Sequence, residues 1–170
     1  TEEQMIGSHR RILVTGGAGF IGAHLVETLR LDGCEPVVLD DLSMGKRENI
    51  PPAATFIEGD VRDPDALRRA LAGVDAVVHL AAHVSIRASC ERFVEDASVN
   101  VLGTLAVLKA CADSEVKKFI YASSMGVYAD SAQPTPVAET YACKPISPYG
   151  VGKLAGENYT LTICPQLGIT

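Results

Sequence analysis

The sequence predicts an α/β fold: a doubly wound parallel sheet with helices on both faces. Three observations predict it. Short runs rich in β-branched residues alternate with stretches whose apolar residues recur every three or four positions. Those runs are apolar along their whole length rather than at every second residue, as strands buried on both faces require. The first run also leads directly into glycines that open the first helical pattern.

In chain order, Arg11-Ile12-Leu13-Val14-Thr15 forms the first strand. Ile21, Leu25, Val26 and Leu29 mark the helix behind it, which Gly33 stops after Asp32. Pro36-Val37-Val38-Leu39 is the second strand and Thr55-Phe56-Ile57-Glu58 the third. Asp63 caps a short helix that carries Pro64 in its first position. Ala76-Val77-Val78-His79-Leu80 is the fourth strand and Lys118-Phe119-Ile120-Tyr121-Ala122 the fifth. Between them the spacing of Val94, Ala97, Val101, Leu105 and Leu108 predicts one long helix from Cys90 to about Asp113. A last helix is expected from near Tyr149 to about Ile163, after a proline-rich polar loop over Asp130–Pro148.

The chain has 170 residues, enough for one domain with a substantial core, and residues 11–170 are read as that domain. Its net charge of −6 repels phosphate backbones, so nucleic acid is not an expected partner. No apolar run approaches the ~20 residues that span a bilayer, so no membrane partner is expected. Residues 1–10 form a polar tail without the apolar centre of a secretory signal. Within it, Gly7-Ser8-His9 reads equally as native sequence or as an engineering remnant. Cys34, Cys90, Cys111, Cys143 and Cys164 are scattered, odd in number and free of any CxxC pair. That usage predicts free thiols in a reducing cytoplasm rather than a disulfide framework or a zinc site.

Thr15-Gly16-Gly17-Ala18-Gly19-Phe20-Ile21-Gly22 lies between the first strand and the first helix, the place of a Rossmann-type phosphate turn. Gly16 permits the tight turn, Gly19 lets backbone approach a diphosphate, and Gly22 lets helix and strand pack closely. The helix amino terminus then offers free N–H groups and partial positive charge. Asp40 stands at the end of the second strand, about the ~20 residues onward that a dinucleotide fingerprint expects. A carboxylate there accepts from ribose hydroxyls and repels a 2′-phosphate, which favours NAD over NADP; Lys46 and Arg47 are the nearest cations that would reverse the preference. Asp60-Val61, after the third strand, reads evenly as an adenine contact or a simple turn.

Tyr149-Gly150-Val151-Gly152-Lys153 sets a phenol and an ammonium four residues apart, on one helix face. A free tyrosine titrates near pH 10, and a neighbouring cation stabilises the phenolate a neutral-pH base requires. Ser123-Ser124 follow the fifth strand on the ligand side, where a hydroxyl can hold a substrate oxygen and relay its proton. The expected catalytic set is Ser124, Tyr149 and Lys153.

These motifs occur in order with Asp40-Asp41-Leu42-Ser43, Gly59-Asp60-Val61-Arg62-Asp63, His79-Leu80-Ala81-Ala82, Val99-Asn100-Val101-Leu102-Gly103-Thr104 and Ser147-Pro148-Tyr149-Gly150. From about Arg11 to its end the sequence resembles the NAD-dependent epimerase/dehydratase family, the extended short-chain dehydrogenases, and within it the UDP-glucose 4-epimerase branch. The resemblance implies NAD as cofactor, held by Gly16, Gly19, Phe20, Ile21, Gly22, Asp40, Asp41, Ser43, Asp60, Val61, Leu80, Ala81, Ala82, Asn100, Ser123, Tyr149 and Lys153. It implies an isomerase of carbohydrate metabolism with a nucleotide-sugar substrate, a UDP-sugar, met by Ser85, Ser124 and Tyr149. It also implies a homodimer that packs the two long helices, about Cys90–Asp113 and Tyr149–Ile163, into a four-helix bundle.

Within the family, 4,6-dehydratases carry Thr-Asp-Glu where this sequence has Ser124-Met125-Gly126. Neither Met125 nor Gly126 transfers a proton, so dehydration and glutamate-dependent decarboxylation are disfavoured. Epimerisation through a transient 4-keto sugar leads, with a one-way nucleotide-sugar reductase or dehydrogenase as the alternative and a silent NAD sensor or scaffold as the non-enzyme alternative. His79 and His83 have no further ligand cluster, so no metal is expected. Arg87 reads as a solvated loop arginine rather than a phosphate contact, and Ala129 departs from the glycine usual after the family's tyrosine. Similar chains continue past Leu167-Gly168-Ile169 into a sixth strand and a small substrate domain. The expectation is therefore a sheet truncated before its sixth strand, with the fifth strand's edge unpaired. As 170 residues alone, it is expected to bind NAD weakly and not to turn over.

Overall fold

The computed structural model describes residues 10–129 and 136–170. Residues 1–9 of the N-terminal tail, with Gly7-Ser8-His9, and residues 130–135 of the predicted loop lie outside the described residues.

Five parallel strands, β1 (Arg11–Thr15), β2 (Glu35–Asp40), β3 (Thr55–Glu58), β4 (Ala76–His79) and β5 (Lys118–Tyr121), lie in the order β3-β2-β1-β4-β5. The chain works outward from β1 to β3 and then crosses back to β4. That reversal opens a crevice above the carboxyl ends of β1 and β4.

Leu13 stands in register with Val37 and Val77, and Val77 with Phe119. This row buries on one face against α2 (Pro64–Ala70), α5 (Thr104–Ala112) and the end of α6 (Pro148–Gln166). The next row, Val14, Val38 and Val78, packs on the opposite face against Val26, Leu25 and Leu29 of α1 (Phe20–Leu31). Burying one such aliphatic side chain contributes about 1.5–3 kcal/mol, so neither face can be left polar. Hence the unbroken apolar runs in the sequence.

Asp63 caps α2 as its position predicts, a carboxylate oxygen accepting from the Asp65 N–H at 2.9 Å, with Pro64 in the first turn. The single helix expected over Cys90–Asp113 is instead α3 (Ile86–Glu91), α4 (Phe93–Ala97), a π-helical turn (Ser98–Gly103) and α5. It starts early because the Ser85 hydroxyl accepts from the Ala88 N–H at 3.1 Å. It breaks at Arg92, whose φ of −130° and ψ of 53° leave the helical region. Apolar spacing cannot distinguish such a jointed run from one continuous helix. The π-turn widens the coil at Asn100, which is buried. The last helix starts at Pro148, one residue before its predicted position, because Ser147 caps it by accepting from the Gly150 N–H at 3.1 Å.

The outer edge of β5 corrects one expectation. The Phe119 N–H donates to the Thr170 carbonyl at 2.9 Å and the Thr170 N–H to the Lys117 carbonyl at 3.0 Å. The sheet holds five strands, as the sequence predicts, but Thr170 pairs the first rungs along the outer edge of β5. Among the described residues no helix is long and apolar enough to cross a membrane.

Candidate active site

A cavity of about 500 Å³ lies above the carboxyl ends of the strands. The glycine turn forms its floor. Gly16 has φ +70°, and a Cβ there would meet the Ala81 nitrogen at 2.8 Å. A Cβ on Gly22 would overlap the Gly16 carbonyl, so both glycines are demanded by the protein's own packing. Gly19 differs. It is extended, at φ −75°, and a Cβ there would approach nothing closer than 3.4 Å. The protein leaves that face of the turn open to the cavity. Ala23 makes the first backbone bond of α1, to the Gly19 carbonyl at 2.9 Å, so the N–H groups of Phe20, Ile21 and Gly22 precede the helical ladder, and no side chain caps them.

Asp40 is buried at the tip of β2, with one carboxylate oxygen accepting from the Ala18 N–H at 2.9 Å and the other from Leu42 N–H at 2.8 Å. It holds the turn and keeps lone pairs facing the cavity. Asp41 closes an Asx turn, accepting from both the Ser43 N–H and hydroxyl at 2.9 and 2.6 Å. Leu42 between them is held at φ 59°, the left-handed region that a leucine enters only under constraint. Asp60 binds the Arg62 guanidinium, which holds its carboxyl below the usual range, and Arg62 reaches on to the Ser98 hydroxyl at 2.8 Å.

The wall beneath Leu80 and Ala81 is wired to the centre of the sheet. Thr104 gives its hydroxyl proton to the Asn100 carbonyl at 2.8 Å, so His79 must donate from Nε2 to Thr104 Oγ1 at 3.0 Å. Nδ1 then accepts from the Thr15 hydroxyl at 2.7 Å, and that oxygen accepts from the Leu80 and Ala81 N–H groups, each at 3.2 Å. Burial lowers the His79 pKa to about 3, with the Lys153 charge adding to the effect. The ring is neutral and structural. Among the described residues no cluster of three or more His, Cys, Asp or Glu could hold a metal ion.

Tyr149 and Lys153 line the cavity one helical turn apart on α6. Lys153 is 4% exposed, and burial lowers its pKa to about 8, which leaves it charged near neutrality. The Tyr149 N–H donates to the Ser89 hydroxyl at 3.1 Å, which ties the start of α6 to α3. A phenol beside a buried ammonium, facing a hollow, can take and return one proton.

Gly16, Gly19, Phe20, Ile21, Gly22, Asp40, Asp41, Ser43, Asp60, Val61, Leu80, Ala81, Ala82, Ser123, Tyr149 and Lys153 all line this cavity. Three predicted residues do not. Asn100 is buried behind the wall, its amide oxygen accepting from the His83 N–H and its nitrogen donating to the His83 carbonyl, with Asp96 as a further side-chain partner. Ser85 is exposed and engaged as the cap of α3. Ser124 caps the short 3-10 turn Met125–Val127, accepting from the Gly126 N–H at 3.1 Å; this leaves its own proton to donate. Ser123 lines the cavity but donates to the Glu157 carboxylate. The sequence reading missed Met44, Gly45, His83, Val84 and Val99 on the lining. Gly45 is demanded by packing: a Cβ there would press on Ala18 at 2.6 Å, a contact between segments distant in sequence. Arg87 lies on α3, where it pairs with Glu91 at 3.5 Å. Ala129 joins the chain in place of the usual glycine, its N–H donating to the Ala142 carbonyl at 2.8 Å.

The open face of Gly19, the uncapped N–H groups and the inward carboxylate of Asp40 fit a dinucleotide diphosphate and its ribose.

The family model for the NAD-dependent epimerase/dehydratase family matches residues 12–170. A putative UDP-glucose 4-epimerase of Methanocaldococcus jannaschii is 40% identical over 149 residues, 87% of this chain and 49% of that protein. The UDP-glucose 4-epimerase of Azospirillum brasilense is 37% identical, over 86% of this chain and 42% of that one. The crystal structure of the Thermus thermophilus UDP-glucose 4-epimerase complex with NAD superposes with a TM-score of 0.89 at 41% identity, covering 94% of this chain and 52% of that one. That of the Thermotoga maritima enzyme with UDP-glucose gives 0.88 at 38% identity, with the same coverages of 94% and 52%. The chain spans about half the length of the curated relatives it matches. By that match and the fold, this chain belongs to the NAD-dependent epimerase/dehydratase family.

Proposed function

We propose that residues 11–170 are the NAD-binding half of a nucleotide-sugar 4-epimerase of the UDP-glucose/UDP-galactose type. One observation carries the reading: Tyr149 and the buried Lys153 face the same cavity as the glycine turn and Asp40. The names of the relatives point to NAD and to UDP-sugars. Arg47 lies over the Phe56 ring at 4.7 Å and Lys46 pairs with Glu48 at 3.7 Å, so neither lines the cavity to meet a 2′-phosphate.

Bound NAD supplies a hydride acceptor that can also return the hydride, which takes the sugar through a 4-keto form. Tyr149, as phenolate, removes the proton of the sugar 4-hydroxyl and later gives it back. Lys153 stabilises the phenolate and stands where a nicotinamide ribose can be held. Ser124 donates its free proton to the sugar oxygen, and Ser123 and Asn100 support the cofactor side of the same wall. Ser85, next to Val84 of the lining, is the third residue read as meeting the sugar. Met125 and Gly126 bring no acid or base, which supports epimerisation over elimination of water. Exposed apolar side chains on the α4–α5 segment and α6, among them Phe93, Val94, Leu102, Val151 and Leu161, support homodimer formation through those helices. The five free thiols support a cytoplasmic setting.

The test uses the natural full-length protein with UDP-galactose and NAD. Appearance of UDP-glucose with no net change in reduced-nicotinamide absorbance is the expected outcome. Conversion that consumes or produces reduced cofactor mole for mole would make it a reductase or dehydrogenase instead.

A further inference from the structure

Lys153 is a cation with 4% of its surface exposed, and its Nζ stands 4.3 Å from the centroid of the Tyr121 ring. The ion pairs among the described residues involve other cations, and none joins a carboxylate to Lys153. A buried charge without compensation is strongly unfavourable. The negative face of an aromatic ring supplies compensation without cancelling the charge, as a carboxylate would.

The ring is itself fixed from two sides. The Tyr121 hydroxyl donates to the Lys153 backbone carbonyl at 3.2 Å, and it fills the space beside Gly156 that any Cβ would occupy. Tyr121 ends β5, two residues before Ser123 on the cavity wall. We infer that Tyr121 is a positioning residue: its ring face holds the Lys153 ammonium beside Tyr149 as a free charge, aimed at the cavity. The inference rests on the acid–base reading of Tyr149 and Lys153 given above.

Lys153 lies over the Tyr121 ring of β5, shares the cavity lining with Tyr149 and acts by its charge on His79 of β4, while Tyr149 and Glu157 of α6 act on Tyr121. His79 is neutral, and the Glu157 carboxylate accepts from the Ser123 hydroxyl. Asp96 lies behind Gly152, where a Cβ would meet its carboxylate at 3.6 Å. Burial keeps Tyr121 protonated by raising its pKa, while Lys153 at about 8 sits close enough to neutrality for a modest change to alter its charge.

The experiment replaces residue 121 in the full-length protein with phenylalanine and with mono-, di- and trifluorophenylalanine. Fluorination withdraws charge from the ring face at nearly constant shape, so folding is preserved. The Lys153 titration is read by NMR on carbon-labelled lysine, assigned with Lys153→Met, beside the basic limb of the kcat/KM profile. The phenylalanine protein, which lacks the hydroxyl that fixes the ring, is the reference of the series; relative to it the midpoint and the limb should fall with each fluorine, to about one pH unit lower for trifluorophenylalanine. A midpoint unchanged across the series overturns the inference. If Lys153→Met is inactive while the series is flat, only the role of the ring is dismissed. If Lys153→Met turns over like wild type, the acid–base reading falls and the inference falls with it.

Discussion

The side-chain amide of Asn100 closes on the backbone of His83 from both sides. Its oxygen accepts from the His83 N–H at 2.8 Å, and its nitrogen donates to the His83 carbonyl at 2.9 Å. His83 lines the cavity and Asn100 does not. A residue of the π-turn therefore shapes the wall after β4 from behind.

Asn100→Ala removes two part-buried hydrogen bonds to the His83 backbone. Each is worth about 0.5–1.5 kcal/mol, so a loss of roughly 2 kcal/mol is expected in denaturant unfolding. NAD affinity should weaken by about tenfold as the wall slackens, measured by calorimetric titration. Unchanged affinity would show that the clamp does not serve the cavity.

Gly19 and Gly22 should separate ligand from packing. Gly22→Ala must displace the Gly16 carbonyl, and overpacking of this kind destabilises by about 1–3 kcal/mol. Gly19→Ala sits in extended backbone with no close protein neighbour, so stability should change by less than about 0.5 kcal/mol. Its NAD affinity should nevertheless drop at least about tenfold, because the Cβ enters the space where backbone meets diphosphate. Thermal unfolding and NAD titration on the two variants decide the matter.

His79 predicts acid lability. The unfolded imidazole takes up a proton near pH 6.5, while the folded one, lowered to about 3 by burial, refuses it. Its contribution is thus fully present above pH 6.5 and is lost as pH falls toward 3, at about 1.4 kcal/mol per pH unit. His79→Gln, which can keep partners at Thr15 and Thr104 without titrating, should flatten that slope in denaturant midpoints collected from pH 7 to pH 4.

Asp96 acts with the opposite sign. It is buried, one of its carboxylate oxygens has no hydrogen-bond partner, and burial raises its pKa above the ordinary carboxylate value. The folded state therefore holds this proton more tightly than the unfolded chain, and stability falls as pH rises from about 4 through the raised midpoint. Asp96→Asn should be the more stable protein at neutral pH, by on the order of 1 kcal/mol, and should lack that decline. A variant less stable at pH 7 would show the charge to be compensated.

The sequence disclosed the strands and the floor of the site because their causes are local. Val37-Val38-Leu39 is apolar on both faces, Gly16 turns the chain at φ +70°, and Gly22 meets the Gly16 carbonyl within the same turn. Asp63 and Pro64 announce α2 by capping chemistry alone. What stayed hidden depends on neighbours distant in sequence. The break at Arg92 and the π-turn that carries Asn100 to the His83 backbone leave no mark in an apolar period. Val84 and Val99 reach the cavity only because two elements meet there. Tyr121 reads as one more strand residue until Lys153 is placed over its ring.

If the Tyr149 hydroxyl moves the proton, turnover of UDP-galactose by full-length Tyr149→Phe with NAD bound should show it at once. The kcat should fall by at least about a thousandfold, with NAD affinity within a few-fold of wild type. Wild-type turnover from the phenylalanine protein would contradict that role.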